Sequence, residues 1–110
     1  MQNEEQSEEM DIQIAELVFG LPREQIDAWP WGVPEFSTDR RWSAAVILKM
    51  LVHESHHLFN EQLERAAVAW GWKKKPGFCG LDSAILILTP DEICKAALIA
   101  IREHNSSKQI

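Results

Sequence analysis

Apolar positions along this chain recur mostly at helical spacing. Met10, Ile14, Leu17, Val18 and Leu21 fall three or four residues apart and predict a first helix. Ser7 is its expected N-cap, with Glu8 and Glu9 in the first turn, where the helix dipole favours acids. Gly20 and Pro22 end it near residue 19, and residues 1–6 ahead of it are expected to be disordered. A stronger stripe follows the cap-type run Ser37-Thr38-Asp39. It consists of Trp42, Ala45, Val46, Lys49, Met50 and His53, widened by Ile47, Leu48 and Leu51, and is expected to lie at the centre of the core. Ile93, Ala96, Ala97, Ala100 and Ile101 make the apolar face of a last helix that ends near His104-Asn105, with 106–110 fraying. Its start carries the clearest local signal in the chain. Thr89 caps, Pro90 takes the first helical position, and Glu92 closes a capping box.

Two stretches resist this reading. Residues 22–36 form a connector rich in Pro and Trp, stiffened by Pro22, Pro30 and Pro34. Trp29 and Trp31 there serve either as an exposed contact surface or as a lid over the core, and the average burial of Trp favours the lid. In residues 54–72, Phe59, Leu63, Ala66, Ala67 and Trp70 fit a helix, whereas Ala66, Val68, Trp70 and Trp72 fit a strand. Periodicity leaves that choice open. Lys73 to Gly77 reads as a turn, and the apolar run 83–88 as a short strand.

Composition narrows the class. A chain of 110 residues with 45% hydrophobic and 25% charged residues fits a single folded domain, expected over 7–105. One core of this size is modestly stable alone, which leaves a homo-oligomer open. The longest apolar run, Ala44 to Val52, is interrupted by Lys49 and is too short to span a membrane. The opening MQNEEQSEEM is acidic and polar, unlike a secretory leader, so a cytoplasmic protein with Cys79 and Cys94 as free thiols is expected. The net charge of −6 is uneven. Residues 1–27 hold eight acids against one base, and residues 28–110 hold nine acids against ten bases. A near-neutral body argues against general nucleic-acid binding. The acidic segment reads as a solvated tail or as an approach to a basic partner surface.

Three blocks together resemble the phage ABA sandwich family, small domains of bacteriophage and prophage genomes. They are Ile14-Ala15-Glu16-Leu17 running to Gly20; Val33 to Asp39 followed by Ala44-Ala45, Val46 and Lys49-Met50; and Thr89-Pro90 followed by Ile93 to Leu98. The resemblance implies an α+β fold, an α/β/α sandwich with a small antiparallel sheet and about three helices. It ends the second helix near residue 55 and places strands at about 57–62, 65–72 and 82–88. The stretch Phe59 to Trp70 departs from the family's usual strands. The family implies a phage context in the cytoplasm of a bacterial host, and no reaction. Its most recognisable motif matches Ser37, Thr38 and Asp39, for which helix capping is the leading explanation and ligand binding the alternative.

One motif points to chemistry. His53-Glu54-Ser55-His56-His57 contains His-Glu-x-x-His, which on a continuous helix sets His53 and His57 on one face for zinc, with Glu54 as the base for a metal-bound water. Glu61, one further turn along, is the expected third ligand, and Glu64 a less regular one. A zinc peptidase also needs an earlier edge strand to hold its substrate, and residues 1–40 offer none. The leading expectation is therefore a non-enzymatic phage accessory protein that binds a host protein or a small molecule, counter-defence included. Trp29, Trp31, Ser37, Thr38 and Asp39 are its candidate contacts, and it needs no cofactor. A small zinc-dependent hydrolase and a structural oligomerisation module are the alternatives.

Overall fold

The computed structural model describes residues 4–30, 32–71 and 87–108. They form five helices: α1 (Glu4–Leu17), α2 (Arg23–Asp27), α3 (Arg40–Leu51), α4 (His56–Ala69) and α5 (Pro90–Lys108). Among the described residues there is no strand. The expected α/β/α sandwich is therefore corrected to an all-α bundle.

The correction centres on α4, which occupies the strand expected at 57–62 and residues 65–69 of the one expected at 65–72. Phe59, Leu63 and Ala67 recur every four residues and are buried, so a helical stripe faces the core. The competing alternation through Val68 and Trp70 puts both side chains on the surface. Leu, Glu, Gln, Arg and Ala, which fill most of 58–67, also favour helix. Of the third expected strand, residues 82–86 lie outside the described residues; Ile87 is helical rather than extended, and Leu88 after it is buried.

The middle of the core is α5, not α3. Ile93, Cys94, Ala96, Ala97, Leu98, Ala100 and Ile101 are all buried, so α5 is apolar around most of its girth, and α1, α3 and α4 pack against it. Five of these seven positions, Ile93, Ala96, Ala97, Ala100 and Ile101, are the face predicted for this helix, and the three alanines among them let neighbouring helices approach closely. The capping box forms as expected. Thr89 N–H donates to Glu92 Oε1 at 3.0 Å, and Glu92 N–H donates to Thr89 Oγ1 at 3.2 Å. Burial pushes the Glu92 carboxyl up, but hydrogen bonds from the Thr89 backbone, the Trp70 indole and the Thr89 hydroxyl outweigh it and hold the group below its ordinary range.

Helix α1 starts at Glu4, ahead of the Ser7 cap expected from sequence, and lays Met10, Ile14 and Ala15 into the core, with Val18 just past its end. It stops at Gly20, whose φ of 68° suits a residue without a side chain, and Leu21 N–H turns back to the Ala15 carbonyl at 3.1 Å. The connector after it contains one unpredicted element, the short α2, which buries Ile26. Asp11 ties α1 to the chain that follows. Its buried carboxylate accepts from Ser37 N–H at 2.8 Å. Phe36 beside it stacks on Phe19 with ring centroids 5.2 Å apart and meets the edge of Trp42 at 5.7 Å.

Candidate functional site

Helix α3 begins at Asp39, whose carboxylate accepts from Arg41 N–H at 2.8 Å, as its residue type predicts. The Arg41 side chain, with its hydrogen bonds and its charge, holds the Asp39 carboxyl below its usual range. The buried side of the helix is Ser43, Val46 and Met50, with Ile47 partly covered. Ser43 satisfies its hydroxyl by donating to the Arg40 carbonyl at 2.9 Å. These positions are three and four apart and therefore share one face.

The opposite face is also apolar. Ala44, Leu48 and Leu51 follow the same spacing on the solvent side, and Val52 extends the line past the last turn. Leu48 is 67% exposed, Leu51 51% and Val52 82%. The charges on α3 are Arg40, Arg41 and Lys49, and no acid is present. Scattered exposed leucines are ordinary, but an apolar line along one helix face, with its own core-facing side already filled, is the kind of surface that proteins use to bind other proteins. The sequence marked Leu48 and Leu51 only as widening the core stripe. The signal that separates them is a helix apolar on two sides with a serine, Ser43, in its buried side.

The residues singled out from sequence are dispersed. Between α3 and α4 the helix breaks at 52–55. In a continuous helix Ser55 N–H would bond to the Leu51 carbonyl; instead it donates to His53 Nδ1 at 3.1 Å, and Ser55 Oγ lies 2.8 Å from the same nitrogen. His53 therefore sits in the bend and His57 in the first turn of α4, so the helical register that would set both on one face does not form. Glu54 Oε2 lies 2.9 Å from His104 Nε2 on α5. His57 and Glu61 remain one turn apart on α4 and exposed. Among the described residues no three His, Cys, Asp or Glu side chains come together to hold a metal ion.

Ser37 is buried against Asp11, Thr38 is exposed beside it, and Asp39 is the α3 cap. Trp29 is half-buried, and Trp31 lies outside the described residues. Cys94 is a buried free thiol pushed up to about 12 by burial and by the Asp11 and Asp91 charges, which leaves it inert at neutral pH. Cys79 lies outside the described residues. An open groove of about 300 Å³ runs between α4 and α5, lined by Gln62, Arg65, Ala66, Lys95, Ala96 and Ile99 with Glu92. Two of its four polar groups, Lys95 and Glu92, are engaged already. Lys95 pairs with Asp91 at 2.9 Å, and Glu92 serves both the cap and the Trp70 indole, 2.7 Å away. A small-molecule site needs polar groups free to orient a ligand between apolar walls, so the groove is the weaker candidate.

No helix among the described residues is long and apolar enough to cross a membrane. No family model, curated protein or solved structure matches the chain.

Proposed function

We propose that this chain acts by binding, and that it docks another protein surface through the outer face of α3. The observation that carries this reading is the line Ala44, Leu48, Leu51 and Val52, exposed on a helix whose other side is already packed on α5. Covering such a line releases water from apolar surface, and the flanking arginines and lysine supply a polar rim. A small all-helical bundle presenting one rigid helix face suits that task. The phage context and the counter-defence role rest on the family resemblance alone. The sheet which that resemblance implies is missing among the described residues, so the proposal here is for binding.

The zinc-hydrolase alternative finds no support in the geometry, because the break at 52–55 separates His53 from His57. The discriminating variant for the binding reading is Leu48→Asp. The side chain is in solvent, so the bundle keeps its far-UV circular dichroism and its unfolding midpoint. Affinity for the proteins that co-purify with the wild-type chain falls by tenfold or more, as at the centre of an interface. Undiminished binding by the Leu48→Asp chain would overturn the reading.

A further inference from the structure

We draw no further inference here: the strongest candidate, the exposed apolar line of Leu48, Leu51 and Val52 on the outer face of α3, carries nothing beyond the docking already proposed, because nothing in the structure shows what covers it.

Discussion

Asp11 is a buried carboxylate whose replacement separates two physical effects. Its Oδ1 accepts the Ser37 backbone N–H at 2.8 Å, and the Ser37 hydroxyl bonds to it as well. In Asp11→Ala the Ser37 N–H is left without that acceptor in a buried site, which costs about 1–3 kcal/mol. For a domain of this length each kcal/mol lowers Tm by roughly 4–8 °C. Asp11→Asn keeps an acceptor oxygen in place and removes the charge, so at pH 7 it stays within about 1 kcal/mol of the wild type. The pH dependence has a definite sign. Burial raises the Asp11 carboxyl, with the Glu35 and Glu8 charges adding to it, and the two Ser37 hydrogen bonds only partly offset this. A group raised in the folded state contributes stability that is complete below its unfolded pKa, about 4, and that is lost as pH rises through its folded pKa. Asp11→Asn lacks this loss, so its stability relative to wild type improves as pH rises above about 4 and then levels off. Urea unfolding followed by circular dichroism at a series of pH values measures all three chains. An Asp11→Ala chain as stable as wild type, or an Asn-to-wild-type difference that is flat from pH 3 to 7, refutes the argument.

Three further outcomes follow from the packing. Phe59→Ala removes a fully buried ring where α4 meets α5 and is expected to cost about 3–5 kcal/mol, read from the urea midpoint. Thr89→Ala deletes one half of the capping box and is expected to cost about 1 kcal/mol in the same assay, with helix content otherwise retained. In a Cys79→Ser background, the Cys94 thiol is expected to resist a thiol reagent at pH 8 until urea unfolds the chain; rapid native labelling would contradict its burial.

The helix ends were legible wherever a side chain does the capping. Asp39 before α3 and Thr89 with Glu92 at the start of α5 are local signals whose chemistry does not depend on the rest of the fold. The middle of the chain was not legible in the same way. Between 56 and 69 a four-residue repeat through Phe59, Leu63 and Ala67 overlaps an alternation through Val68 and Trp70, and only the position of α5 decides which set is buried. The family resemblance favoured strands there, and tertiary packing favours the helix. The same dependence hid the docking face. On α3 the apolar residues lie on both sides, and α5 approaches the side of Val46 and Met50, leaving Leu48 and Leu51 outside. The His-Glu-x-x-His spacing was legible as a string, but its chemistry depended on a helix continuing through Ser55, whose N–H is taken by the His53 ring.

The most direct test of the central claim asks what touches α3 in the cell. A photo-crosslinking amino acid placed at position 48 reports contacts of the outer face, and the same group at position 103, exposed on α5, reports background. A specific product from position 48 that position 103 does not give is the predicted result. Position 48 crosslinking no more than position 103 would show that the face stays in solvent, and would contradict the account.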